Sequence, residues 1–459
     1  MEPGDHRRAM RVLLLSCYEL GHQPWHLASA GGFLREAGHS VRARDLALDE
    51  LDDGDVRWAQ LIAVAVPMHT AMRLALPLVR RLRAQRGVSV TIVLYGLYAP
   101  LCAASLPGGS VDHAVGGEFE GELVRIAGGA RSSRAVVLDR LRFPPPERDG
   151  LPSLRRYARL LVGGEARVAG YLESTRGCVH RCRHCPVPVV YDGRIRIVQR
   201  ETVVADAVRQ WELGARHLTL GDADFLNAAP YALATMRALH ARLPEMTFDI
   251  TTKVEHILRH RGVVAQLSEC GLLFVTTAVE STSDTVLSIL DKGHTHADSI
   301  AAIALLRAEG IEVRPSLLPF TPWSTLADYL HLLDFVAALD LQASIDPVQL
   351  GIRLLLPAGS LLLEHPATAA HLTGELAAGG EHLWRHPDPS MDALQAEVAD
   401  LTALAADAVE SPQVTHDAVR RLAGAAAARA GLAWDAAPPP PPVGLSVVAR
   451  PRLSEPWFC

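Results

Sequence analysis

The stretch GCVHRCRHCPVP, Gly177 to Pro188, places three of the chain's seven cysteines, Cys178, Cys182 and Cys185, within eight residues. The other four, Cys17, Cys102, Cys270 and Cys459, stand singly. Three thiolates on one short loop can hold a single metal centre. A structural zinc ion takes four ligands, which here would make His180 or His184 the fourth. A cubane [4Fe-4S] cluster normally takes four cysteines, and three would leave one iron open to a substrate or cofactor. An odd cysteine count without framework spacing argues against a disulfide scaffold and for a reducing cytosol, so a cytoplasmic protein is expected.

Further residues able to do chemistry stand at the ends of apolar runs. GDADF puts Gly221, Asp222 and Asp224 at one such end, where carboxylates hold a cationic group or cap the next helix. TTKVEH carries Lys253, which either neutralises an anionic ligand or pairs with a neighbouring glutamate. AVESTSD ends a further run with Glu280 and Ser281. VRPSLLPFTPW carries Arg314 and Ser316. The Arg314 guanidinium suits a bidentate carboxylate, and its other reading is a buried ion pair with Asp222 or Glu280. Thr321 to Trp323, and Arg353 in GIRLLLP, are placed toward the substrate end.

The elements that must position these groups follow from the apolar pattern. Residues 1–150 alternate fully apolar runs (RVLLLSCYE, LIAVAVPM, VTIVLYG) with amphipathic stretches. That pattern predicts a parallel, doubly wound α/β sheet with a cleft at its strand C-termini. FPPPERDGLP reads as part of a linker. Across 165–360 the alternation resumes with a longer period. Six expected strands begin at VAGYLEST and end at IDPVQLGIRLLLP, short of the eight of a closed barrel. Residues 361–435 are Ala-rich and expected to be helical. Residues 436–459 hold a proline-rich spacer and a tail that ends on Cys459.

The 459 residues suffice for two or three domains, and 49 % are apolar, so large cores can form. The net charge of −6 is mixed along the chain, with no basic stripe for nucleic acid. No run approaches the ~20 apolar residues of a membrane helix. The expected partner is a small-molecule substrate, with no nucleic acid and no membrane.

Cys178-x3-Cys182-x2-Cys185 directly after the strand YLEST resembles the radical S-adenosylmethionine (SAM) superfamily. The resemblance implies a partial (β/α)6 barrel and a [4Fe-4S] cluster on these three cysteines. The open iron would chelate SAM, and one electron would cleave it for a radical or group-transfer reaction. The family's usual aromatic residue before the third cysteine is His184 here. By the same resemblance Gly221, Asp222, Asp224, Lys253, Glu280, Ser281, Arg314 and Ser316 are candidate cofactor-binding residues, and the electron donor is of the flavodoxin or ferredoxin kind. A doubly wound domain ahead of such a barrel is similar to the cobalamin-binding domain of the cobalamin-dependent subfamily, which includes methyltransferases. The D-x-H-x-x-G motif that would supply a lower histidine ligand is absent. Two readings of the first domain stay open: it holds cobalamin without that ligand, or it covers the barrel mouth.

The tail string EPWFC is similar to that of radical SAM proteins ending in CCAEP or CUAEP, where U is selenocysteine. This implies a selenoprotein tail interrupted at its selenocysteine codon and a soft substrate element such as arsenic or selenium. A zinc-stabilised binding protein without catalysis is the reading from another class.

Overall fold

The computed structural model describes residues 9–132, 134–377, 379–437 and 450–454. Most of the proline spacer and all of EPWFC lie outside the described residues.

The first domain is a parallel sheet of β1 (Arg11–Ser16), β2 (Ser40–Asp45), β3 (Leu61–Ala65), β4 (Thr91–Tyr95), β5 (His113–Gly117) and β6 (Val136–Val137). Its order is β2-β1-β3-β4-β5-β6. Successive residues of β1, β3 and β4 face opposite sides. Leu13, Ile62 and Leu94 pack under the helices His69–Arg86 and Ala99–Ala104. Val12, Ala63 and Val93 pack under Trp25–Glu36 and Phe119–Ala127. Burial on both faces is why these strands read as unbroken apolar runs rather than as alternating ones.

The second sheet contains β7 (Arg159–Val162) and β8 (Glu165–Leu172), and between β8 and the rest lies a ribbon of β9 (Thr175–Gly177) and β10 (Ile195–Ile197) that flanks the cysteine loop. Then follow β11 (His217–Leu220), β12 (Thr247–Thr252), β13 (Leu272–Glu280) and β14 (Glu312–Leu317). After the hairpin β15 (Leu372–Leu376) and β16 (His382–Trp384), β17 (Arg452–Leu453) returns to the sheet edge. The order is β14-β13-β12-β11-β8-β7-β17, and the sheet curls into a half-barrel. Its five central strands are parallel, and β7 and β17 close one edge antiparallel. Capping boxes at Thr295 and Thr325, each closed by an Asp three residues on, start the two helices that flank β14.

The segment expected as the sixth strand departs from that expectation. Residues 345–357 contain a 3-10 turn, Pro347–Gly351, and a single parallel bridge between Phe320 and Arg353. Pro347 has no N–H for a ladder. The Arg353 side chain is drawn away to Asp392 at 2.5 Å and to the Trp384 carbonyl at 2.7 Å. The expected linker carries β6, a 3-10 turn at Leu154–Arg156 and β7. The Ala-rich region folds as two long helices, Pro389–Asp407 and Pro412–Arg429, whose Leu394, Val398, Val419 and Ala423 join the barrel's core.

Two buried arginines join the domains. Arg148 donates to both Asp206 oxygens, at 2.6 and 2.7 Å, and to Gln23 of the first domain at 2.7 Å. Arg176, two residues before Cys178, donates to Glu120 of the first domain at 2.6 and 3.0 Å and to Glu173 at 2.8 Å.

Candidate active site

The cysteine loop leaves β9 at Gly177, whose φ is +77°. A Cβ there would stand 2.2 Å from the Arg194 carbonyl oxygen and 2.6 Å from Tyr191 Cδ1, so only glycine fits. Cys178 and Cys182 are buried, Cys185 is half-buried, and all three are free thiols. Burial pushes the Cys185 thiol up to about 12, and burial with the neighbouring Asp224 raises Cys178. Cys182 adds to both shifts, so the thiols feel one another's charge. Cys178 and Cys185 stay protonated until a metal replaces the protons, and the set of three soft donors suits an iron–sulfur cluster.

Two groups of the expected site residues form around this loop. The first lines a cavity of about 280 Å³ inside the barrel and includes Gly221, Asp222, Arg314 and Ser316. A Cβ on Gly221 would lie 1.8 Å from the Tyr171 hydroxyl, so glycine keeps this wall open. Asp222 is buried and accepts from Ser174 N at 3.0 Å, Ser174 Oγ at 2.7 Å and Thr175 Oγ1 at 2.6 Å. Burial raises its carboxyl to about 6. Asp222 therefore ties down the turn that leads to the cysteines. Arg314 donates from Nη2 to Asp346 at 3.1 Å, rather than to Asp222 or Glu280. Its Nη1 is buried without a hydrogen bond.

The second group lies where β13 ends beside the cysteines. Glu280 is buried with φ +62°, a strained conformation for a side chain of its size. Lys292 donates to it at 3.1 Å, and His184 Nε2 lies 3.5 Å away. Burial alone would raise the Glu280 carboxyl, but Lys292 and His184 pull it down to about 2. Against the effect of burial, Glu280 in turn holds the Lys292 ammonium charged. Ser281 Oγ accepts from Ser283 N at 3.0 Å. Lys253 Nζ is 3.7 Å from Glu255, and Asp224 accepts from Thr252 Oγ1 at 2.6 Å. Thr321 is buried and bonded to Ser324 at 2.8 Å, away from both groups.

Lys292 is the residue that motif reasoning missed, and composition held the signal. The chain has only two lysines, Lys253 and Lys292, among 45 basic residues. Both are buried at this end of the barrel.

A second cavity, of about 530 Å³, opens at the C-terminal ends of β1 and β2, the rim where doubly wound sheets bind ligands. Cys17, Glu19, Asp45 and Tyr157 line it. His22 lines both cavities and stacks on Tyr171 at 4.9 Å. Burial lowers the His22 imidazole to about 4, so the wall between the cavities is uncharged. Leu453 of β17 borders the barrel cavity and Ser454 the first-domain cavity.

Residues 172–336 match the family model described as the radical SAM superfamily. The chain carries a radical SAM domain. The match begins at the end of β8 and runs through the cysteine loop, β11–β14 and both groups of residues above. The ribosomal protein uS12 methylthiotransferase RimO of Porphyromonas gingivalis is 26 % identical over 186 residues, which cover 36 % of this chain and 40 % of that protein. The tRNA-2-methylthio-N(6)-dimethylallyladenosine synthase of Chlorobaculum tepidum is 25 % identical over 209 residues, covering 43 % of this chain and 44 % of that protein. The chain thus matches about two fifths of the length of these curated relatives.

Solved structures extend the likeness beyond the radical SAM domain. The radical SAM methyltransferase TsrM from Kitasatospora setae, with cobalamin and a [4Fe-4S] cluster bound, superposes with a TM-score of 0.58. It covers 72 % of this chain and 73 % of its own, at 17 % identity. The cobalamin-dependent radical SAM enzyme OxsB, with aqua-cobalamin and SAM bound, superposes with a TM-score of 0.64 at 13 % identity. That match covers 85 % of this chain and 66 % of the other. At these identities the likeness is one of fold. Among the described residues, no helix is long and apolar enough to cross a membrane.

Proposed function

We propose that the chain is a radical SAM enzyme that transfers a one-carbon group, with the [4Fe-4S] cluster on Cys178, Cys182 and Cys185, SAM in the barrel cavity and cobalamin in the first-domain cleft. The observation that carries this reading is the shared wall of the two cavities at His22 and Tyr171. A carrier in one cleft and a substrate in the other would meet there. When bound, such a cluster supplies the electron for SAM cleavage and cobalamin supplies a methyl carrier.

The chain's own residues divide the remaining work. Asp222 holds the turn before the cysteines through three hydrogen bonds. Lys292 keeps Glu280 ionised and sets one positive charge beside Cys182 and Cys185. Arg314 offers its unpaired Nη1 to a carboxylate in the barrel cavity. The uncharged His22–Tyr171 wall, Leu220 and Phe274 give the barrel cavity its apolar lining.

A second element of the reading concerns the tail. Leu453 and Ser454, which border the two cavities, directly precede the tail string EPWFC with its Cys459, which lies outside the described residues. A thiol there would hold a soft substrate element or reset the site. Reduction of the cluster would come from a flavodoxin- or ferredoxin-type donor.

Anaerobic reconstitution tests the proposal. The expected protein is brown, holds about four iron and four sulfide per chain, retains added cobalamin through gel filtration, and releases 5′-deoxyadenosine or S-adenosylhomocysteine on reduction. Methylthioadenosine as the SAM-derived product would replace one-carbon transfer with 3-amino-3-carboxypropyl transfer. A colourless protein with one zinc and no SAM turnover would overturn the enzyme reading in favour of a binding protein.

A further inference from the structure

A second set of metal-ligating side chains lies against the cysteine loop and has no part in the scheme above. His180 sits between Cys178 and Cys182, Asp224 starts the turn after β11, and His256 lies in the helix Val254–Arg259 after β12. One ligand atom from each of the three lies within 4.8 Å of the other two. The Nε2 atoms of His180 and His256 are 2.9 Å apart. His256 Nδ1 and Asp224 Oδ2 are also 2.9 Å apart, yet neither atom makes a hydrogen bond and both are buried. His256 is 2 % exposed and Asp224 is 1 %. An unpaired buried polar atom is costly, so two in contact need an explanation.

The surroundings decide which atoms of these groups are left uncommitted. Asp224 Oδ1 is taken by Thr252 Oγ1 at 2.6 Å and by Leu226 N at 3.3 Å, which leaves Oδ2 to face His256. Behind His180, Glu255 Oε2 lies 3.7 Å from Nδ1, a carboxylate on the far side of an imidazole as metal-binding histidines commonly have. Bonds of about 2.0–2.1 Å to one cation set neighbouring ligand atoms about 3 Å apart. With Nδ1 as the His256 ligand, its 2.9 Å separation from Asp224 Oδ2 is already that close, and one ring nitrogen of His180 lies within 4.8 Å of both.

We propose that His180, Asp224 and His256 bind a first-row divalent cation, zinc in the simplest case, at a site separate from the three cysteines. Two imidazoles and one carboxylate are a donor set for such ions. The ion would join three segments that the backbone leaves independent: the cysteine loop, the end of β11 and the helix after β12. It would brace the arm between Cys178 and Cys182. Asp224 would serve this ion rather than the SAM contact the family resemblance implies.

The test uses the full chain with its cluster reconstituted, so that the cysteines are occupied, and Zn²⁺ alone as the probe. The expected protein keeps about four iron and takes one tightly held zinc, whose X-ray absorption shows nitrogen and oxygen neighbours and no sulfur. His256→Ala should keep its iron and weaken zinc binding by at least about 100-fold. Should His256→Ala fail to fold by circular dichroism, His180→Ala on the half-buried loop provides the same comparison. Zinc in a nitrogen and oxygen shell without iron would support the site while refuting the cluster. A sulfur shell around the zinc, no retained zinc in the iron-loaded protein, or equal binding by the histidine variants would overturn the site.

Discussion

Replacing Glu118 by Gln should make the protein more stable at pH 8, and the reason lies in an unequal count of charges. Arg176 is the cation of a buried cage that holds three carboxylates. Its guanidinium is committed to Glu120 at 2.6 and 3.0 Å and to Glu173 at 2.8 Å. The rings of Trp25, Phe119 and Phe143 surround it at 5.0, 5.0 and 5.2 Å. Glu118 accepts from Tyr191 at 2.9 Å through Oε1, while Oε2 is buried without a partner, 3.7 Å from Arg176. Burial pushes the Glu118 carboxyl up, against the pull of Arg176, from 4.5 to about 7. The folded chain therefore keeps a proton that the unfolded chain releases. That stabilisation is whole below pH 4.5 and is lost as pH rises through 7, an effect of about 2–3 kcal/mol between pH 5 and pH 8. Gln keeps the acceptor for Tyr191 and has no proton to lose. Urea unfolding of the cluster-free protein at pH 5, 6.5 and 8, read by tryptophan fluorescence, should show the stability difference moving in favour of E118Q by that amount as pH rises. A difference that does not change with pH, or an E118Q protein weaker at pH 8 by more than about 1 kcal/mol, would mean that Glu118 is ionised and paired with Arg176.

Other perturbations follow from the same geometry. Cys182→Ala should lose most of its iron and all SAM cleavage while keeping its far-ultraviolet circular dichroism. Gly177→Ala should do the same from outside the ligand set, because its Cβ would lie 2.2 Å from the Arg194 carbonyl. Lys292→Met strands Glu280 without its cation and should cost about 3–5 kcal/mol in urea unfolding, with the double variant K292M/E280Q recovering more than half of that loss. Cys459→Ala should leave the iron content unchanged and lower turnover of the true substrate, and unchanged turnover would remove the tail from the reaction.

Much of this was legible in the chain because its information is local. Cysteine spacing, unbroken apolar strands and the strand ends at Gly221, Glu280 and Arg314 are each contained in ten residues or fewer. What the sequence concealed depends on which strand ends face one another. Asp222 meets Ser174 and Thr175 because β11 pairs with β8, nearly fifty residues earlier in the chain. Arg314 meets Asp346 because residues 345–357 turn where a sixth strand was expected. That segment has the apolar content of a strand, and Pro347 with the pull of Asp392 on Arg353 decides otherwise. The arginine cage is invisible in sequence for a similar reason. Its members come from residues 25, 118–120, 143, 173–176 and 191, and no one of these stretches looks unusual.

The confinement of both lysines to the buried end of the barrel changes how the molecule presents itself to reagents. Apart from the α-amino group, the folded chain offers no primary amine to an acylating or cross-linking probe. Any side-chain labelling by an amine-selective ester would report a transient parting of the barrel mouth, with two defined sites and no surface background to subtract.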